Sequence, residues 1–362
     1  MIDGPCRWAR PVLISRCKRG DTLDLREQDF GVEIEMTGIS RARAAEVAAE
    51  YLGGQVEYKG TYYDTYLASD RQGRKWKFTY DGSIEAQKKE NGVKVSADDT
   101  YKTEMVTPIC QYKEIPAIQE LVRKLRRSGA FSNKSCGLHV HVSAAPFDAR
   151  TLRNLTNIMY SKEDILYRAL QVEVARENRY CKKTDTQFID ELNRRRPKTM
   201  EELSRVWYQG DSRSGDHYDR SRYRGVNLHS VFQKGTIEFR LYNSTVEHAG
   251  KIKAYIQLSL AITAQALNQH SASRIKTVSG NERYTFRTWL LRMGLIGDEF
   301  STARKHLLEN LDGNIAWRDP AQAQRQRERM QAVREQEYTP VPDFDYEQTE
   351  DEEQDSGPVM SM

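Results

Sequence analysis

Apolar and polar residues alternate along several short stretches of this chain and recur at helical spacing along others. Phe30-Gly-Val-Glu-Ile-Glu-Met36 alternates apolar and acidic positions, the period of a strand with one face toward polar chemistry. Ser40 to Leu52 is Ala-rich, with Ser40 placed as an N-cap and Gly53-Gly54 as the stop, and predicts a helix. Arg74–Tyr80 and Tyr101–Val106 predict strands, the first ending in the turn Asp81-Gly82-Ser83 and the second at Pro108. Ile115–Ser128 carries Ile115, Ile118, Leu121, Val122 and Leu125 at helical spacing, and Cys136–Val142 returns to period 2.

Helices are then expected over Asp148–Glu177 and Met200–Tyr208. Between and after them runs a basic region, residues 182–224, of low apolar content. Val226–Phe232 and Thr236–Tyr242 read as two strands joined by Gln-Lys-Gly in a hairpin. Glu247–Gln269 predicts a long helix, with shorter ones near Tyr284–Leu291 and Glu299–Asn310. Ala321–Gln336 is a polar, helix-prone extension, and disorder is expected from Glu337 onward. No internal repeat is present, so a solenoid is not expected. The sum is an α+β protein.

Composition narrows the class. The chain has 362 residues, 38% hydrophobic and 30% charged, enough for a sizeable core. No apolar run reaches membrane-span length, and Met1–Arg10 lacks the apolar core of a signal peptide, so a cytoplasmic protein with no membrane partner is expected. Cys6, Cys17, Cys110, Cys136 and Cys181 are irregularly spaced with no Cys-x-x-Cys pair and predict reduced thiols. The net charge of +4 hides an asymmetry. Residues 341–362 hold eight acidic side chains and no Lys or Arg, which leaves +12 on the remainder. Such a body suits phosphates or acidic substrates, and equally a nucleic-acid surface.

The strands then bring chemistry together. Residues i and i+2 share a face, so Glu33 with Glu35, His139 with His141, and Glu238 with Arg240 are side-by-side pairs, and Glu104 adds a carboxylate on a fourth strand. If these faces meet, repulsion among the carboxylates demands cations. Carboxylates with one or two imidazoles favour a hard ion, magnesium or manganese, and magnesium binding points to phosphate chemistry. Arg222, Arg224 and Arg240 supply planar donors for phosphate oxygens.

Six segments in order carry a resemblance: Phe30-Gly-Val-Glu-Ile-Glu, Asp81-Gly-Ser, Glu104-Met-Val-Thr-Pro, Gly137-Leu-His-Val-His-Val, Arg222-Tyr-Arg-Gly-Val-Asn-Leu and Thr236-Ile-Glu-Phe-Arg. The series resembles that of the amidoligases, carboxylate–amine ligases of bacteria and phages related to glutamine synthetase and glutamate–cysteine ligase. The resemblance covers roughly residues 30–270. It implies a glutamine-synthetase-like catalytic fold, a curved and mainly antiparallel sheet with flanking helices. Together with the segment pattern, this divides the chain into an irregular arm at 1–27, a catalytic domain at 28–318, and the polar extension with the acidic tail at 319–362.

By the same resemblance Glu33, Glu35, Glu104 and Glu238 hold Mg2+ or Mn2+, with His139 as a metal or phosphate contact and His141 as its brace. Arg240, Arg222 and Arg224 contact the phosphates of ATP. Asp81 and Ser83 lie on the substrate side, and Asn227 lines the nucleotide pocket. The implied reaction passes the γ-phosphoryl group to a substrate carboxylate, and an amine then attacks the acyl phosphate to form an amide.

Other readings stand beside this one. Cys136, His139 and His141 offer zinc ligands, hence a metal-dependent hydrolase. The basic run offers a nucleic-acid surface, and an inactive structural member of the fold would use the acidic tail to dock a partner. Steep salt dependence would mark the nucleic-acid reading. Substrate identities and oligomeric state do not follow from the sequence.

Overall fold

Alternation along β1 (Phe30–Met36) buries Phe30, Val32, Ile34 and Met36 on one face and leaves Glu33 and Glu35 on the other. The computed structural model describes residues 22–337 apart from 211, 212 and 217. The acidic tail, and all but the last residues of the expected arm, lie outside these. α1 (Arg41–Leu52) starts where the Ser40 side chain accepts from the Arg43 amide and stops at Gly53, whose φ of 73° suits glycine. β2 (Val56–Tyr58), β3 (Tyr66–Ser69) and β4 (Lys75–Thr79) follow. β5 (Gln87–Glu90) and β6 (Val93–Ser96) form a separate hairpin. Asn91 and Gly92 both adopt positive φ in its turn, the conformation a two-residue type I′ loop requires.

β7 (Thr103–Val106), α2 (Ile115–Arg127), β8 (Gly137–Ser143) and α3 (Ala149–Leu170) lead to α4 (Val174–Arg179), α5 (Thr186–Arg195) and α6 (Met200–Trp207). β9 (Val226–Asn227), α7 (His229–Lys234), β10 (Thr236–Asn243) and α8 (Ala249–Asn268) complete the central part. α9 (Glu282–Arg292), α10 (Ser301–Leu308) and the polar α11 (Pro320–Glu337) close the described chain. No helix among the described residues is long and apolar enough to cross a membrane.

Three expectations change. The helix expected over Asp148–Glu177 is two, because Gln171 takes a left-handed conformation (φ 47°) and the chain turns before α4. The strand expected over Val226–Phe232 pairs only through Val226 and Asn227; Leu228 then turns helical and α7 begins. Leu228, Val231 and Phe232 stand at i, i+3 and i+4, so their apolar pattern fits a helix as well as a strand. α5 was not expected within the basic region, yet Phe188, Ile189 and Leu192 are buried at helical spacing.

Eight strands form one sheet in the order β2-β3-β4-β7-β1-β8-β10-β9, with antiparallel pairings throughout. α1, α2, α3 and α8 supply the core that covers the apolar face of the sheet. Tyr63, in the β2–β3 loop, and Tyr218, in the connection before β9, belong to segments at opposite ends of the strand order, yet their hydroxyls are 2.8 Å apart, so these two loops meet.

β10 contains a bulge that separates two tasks. Phe239 lies opposite Val140 and Tyr242 opposite Leu138, so β10 spends one extra residue between them. Phe239 and Tyr242 therefore both face the core, where Tyr242 stacks on Tyr255 at 4.5 Å and meets Ser259 Oγ at 2.7 Å. Arg176 of α4 donates to the carbonyls of Tyr242 (2.6 Å) and Arg240 (3.2 Å) on this stretch. A Cβ at position 137 would run into the Arg176 guanidinium, so any other residue there would push that side chain off the carbonyls it bonds. Arg176→Met should leave those buried carbonyls unpaired and cost about 2–4 kcal/mol. Urea unfolding followed by circular dichroism checks this, and an unchanged midpoint would remove Arg176 as the support of the bulge.

Candidate functional site

Register decides which polar side chains meet. Glu35 pairs with Glu104 across β1 and β7, Glu33 with His139 across β1 and β8, Glu238 with His141 across β10 and β8, and Asn227 with Glu238 across β9 and β10. Directly paired residues share a face. All of these therefore stand on the face opposite the core, in one trough.

The distances are short. His139 Nδ1 is 3.1 Å from Glu33 Oε2 and 3.6 Å from Glu238 Oε1, and His139 Nε2 is 3.9 Å from Glu35 Oε1. His141 Nε2 lies 3.2 Å from Glu33 Oε1, while its Nδ1 is 3.0 Å from Thr236 Oγ1. Three overlapping sets have donor atoms within 4.8 Å of one another: Glu33, His141 and Glu238; Glu33, Glu104 and His139; and Glu35, Asp81 and Glu104. Oxygen-rich sets with at most one imidazole suit a hard divalent cation. Cys136 stands in none of these sets; its Sγ points to Asn133 Oδ1 at 3.4 Å, so the thiol does not join the histidines as a zinc ligand.

Charge divides the trough into two ends. Burial, then the charge of Asp81, pushes the Glu35 carboxyl up to about 7, against Arg176 and the Gly137 amide that donates to it at 2.6 Å. Glu104 is driven well above the usual carboxylate range by burial and then by Glu33 and Asp81. At the other end burial opposes the charge on Glu238, but Arg240, whose Nη1 lies 2.5 Å from Glu238 Oε1, holds it below the usual range. Burial likewise opposes the charge on Glu33. Lys234 and His141, with a hydrogen bond from His139, hold it well below normal. Burial and Arg240 push the His139 imidazole down to about 4, so it is neutral at pH 7.

The remaining expected residues divide. Asn227 Nδ2 donates to Glu238 Oε2 at 2.6 Å, inside the trough. Arg222 joins through an aromatic ring: the guanidiniums of Arg222 and Arg240 lie 5.5 and 5.9 Å from the centroid of Tyr223. Asp81 is a member of a donor set, and Ser83 orients it, its amide and Oγ meeting Asp81 Oδ1 at 2.7 and 2.5 Å. Arg224 is not brought into the trough. Its Nη1 donates to the Lys183 carbonyl at 3.0 Å, and it lines a small cleft with Thr156, Trp207 and Val226 beside α3. Strand alternation through β9 explains this, because Asn227 faces the trough and residues 224 and 226 face away.

Sequence reasoning passed over Lys234, whose Nζ is 3.7 Å from Glu33 Oε1, because it stood in an assumed hairpin turn. It also passed over Lys77, whose charge acts on Glu104. The period of β4 could have found Lys77, which pairs with Val106 as Glu33 does on the other side of β7.

A cation entering the Glu35 end must displace a proton, since that carboxyl is about half protonated at pH 7. Mn2+ affinity should therefore rise with pH through the Glu35 transition, by about tenfold from pH 6 to pH 8. Isothermal titration in two buffers of different ionisation enthalpy reads the released proton, and a flat affinity with buffer-independent heat would contradict the assignment.

A search of curated proteins finds no match. The profile of the family described as "Putative amidoligase enzyme" matches residues 26–263. That span runs from before β1 into α8 and contains Glu33, Glu35, Asp81, Glu104, His139, His141, Glu238 and Arg240. The chain belongs to the amidoligase family.

Proposed function

We propose that the protein is an ATP- and magnesium-dependent carboxylate–amine ligase that forms an amide through an acyl phosphate, on a sheet curved like that of glutamine synthetase. One observation carries the reading: carboxylates from β1, β7 and β10 and two imidazoles from β8 converge with Arg240 in a single trough. Glu33, Glu35, Glu104, Glu238 and His139 would hold Mg2+, or Mn2+ in its place, with Asp81 available at the Glu35 end and His141 bracing Glu33. The ion would supply positive charge there to neutralise the group being transferred.

The side chains divide the remaining work. Arg240, fixed by Glu238, and Arg222, stacked on Tyr223, would grip the phosphates of ATP and hold the γ-phosphoryl group in line with a carboxylate oxygen. The P–O bond to ADP breaks as the bond to the carboxylate forms. The amine then attacks the acyl carbon, loses a proton and expels inorganic phosphate. Asp81, oriented by Ser83, adds negative charge at the end from which a cationic amine would approach. Asn227 tethers Glu238 and would border the nucleotide.

Two outcomes test this. With ATP, Mg2+ and a pool of carboxylates and amines, ADP release should require both substrates, and Glu33→Gln and Arg240→Ala should each reduce it by about a hundredfold or more while the fold persists. ADP release independent of any amine would instead mark a hydrolase. Arg224→Ala should keep turnover within about threefold, since that side chain bonds Lys183 rather than the trough. A loss at Arg224 comparable to that at Arg240 would place the phosphate contacts elsewhere.

A further inference from the structure

One cation of the chain already stands where the negative charge of the trough is shared most widely. Lys234 ends α7, and Gly235 directly after it, at φ 72°, turns the chain into β10. The ammonium lies 3.7 Å from Glu33 Oε1, and its side chain is half-buried at the edge of the trough. Glu33 above all stabilises that ammonium against its burial, with Glu238 and Glu104 adding to it and Arg222 opposing it.

Glu33 also belongs to two of the three donor sets, one with His141 and Glu238 and one with Glu104 and His139. A divalent cation in either set takes the carboxylate that Lys234 now neutralises. Two like charges a few ångströms apart repel, so ion and ammonium cannot both keep full attraction to Glu33. The four-carbon stem lets the ammonium leave without moving the backbone. What enters with the ion, on the ligase reading, is a polyphosphate whose oxygens need cations.

We infer that Lys234 is the resident counter-ion of the cation-free trough, displaced from Glu33 when a divalent ion binds and passed to the terminal phosphate oxygens of the nucleotide. This rests on the ligase reading and adds a positioning residue to it. Removing the charge should have opposite effects on the two ligands. Metal alone loses a competitor, whereas nucleotide loses a partner.

The experiment measures both on the full chain. By electron paramagnetic resonance of free Mn2+, without nucleotide, Lys234→Met and Lys234→Gln should bind Mn2+ about three- to tenfold more tightly than the parent chain. At saturating Mn2+ the same variants should bind a β,γ-methylene analogue of ATP about tenfold more weakly, and Lys234→Arg should retain both parent affinities. Far-UV circular dichroism confirms that each variant is folded. If Mn2+ and the analogue bind the parent chain but the two shifts do not oppose each other, the Lys234 inference is wrong and the ligase reading stands. If the parent chain takes up no Mn2+ and Glu33→Gln changes nothing, the trough is not a cation site and both readings fall.

Discussion

Like charges held together on one face of a sheet repel, and everything else in this structure answers that constraint. The cost of burying Glu33, Glu35, Glu104 and Glu238 side by side is met by the register, because their neighbours on β1, β8 and β10 build the core. Phe30, Val32, Ile34, Leu138, Val140, Ile237 and Phe239 are all essentially inaccessible to solvent. Sliding β1 by one residue against β8 would turn Glu33 and Glu35 into the core and Phe30, Val32, Ile34 and Met36 into the trough. Core packing therefore enforces the crowding of charge, although the charges by themselves would drive the strands apart.

Perfect alternation would nevertheless have failed at β10. A regular strand would turn Tyr242 to the same side as Arg240 and remove it from its stack on Tyr255. The extra residue between Phe239 and Tyr242 resolves this, and the disturbed ladder is supported by Arg176, which bonds the carbonyls of Arg240 and Tyr242. The same guanidinium lowers the cost of charge on Glu35. One buried arginine on α4 thus links the stability of the bulge to the electrostatics of the trough.

The parts legible in the sequence were those with strict period 2. Glu33, Glu35, His139, His141, Glu238 and Arg240 follow from alternation alone, and the register brings their strands together as expected. What was not legible depended on segments with mixed signals. Val226 to Phe232 fits two periods, and only β10, able to pair with two of its residues, decides between them. Lys234 was hidden by that choice, because a turn residue and the last residue of a helix point differently. Arg224 looked equivalent to Arg222 in a basic run, yet the strand that starts after it assigns its side to the Lys183 carbonyl. The β5–β6 hairpin carried a clear Asn-Gly signal that the polar strands flanking it masked.

Charge along the trough has a direction. Arg240, Arg222 and Lys234 belong to β10 and the segments that flank it, whereas Glu35, Asp81 and Glu104 gather toward β7 and β4, where Lys77 acts on Glu104 and Arg176 on Glu35. On the proposed reaction a polyphosphate is drawn to the first end and a protonated amine to the second, so the carboxylate to be activated must sit between them. A contact between loops at the two ends of the strand order bears on that proposed reaction. Tyr63, whose carbonyl accepts from the Tyr80 amide beside Asp81, meets Tyr218 from the far end of the strand order. On that proposal an acyl phosphate would be lost to water unless the amine arrived first, and the Tyr63–Tyr218 contact is a place where the approach of either could be restricted.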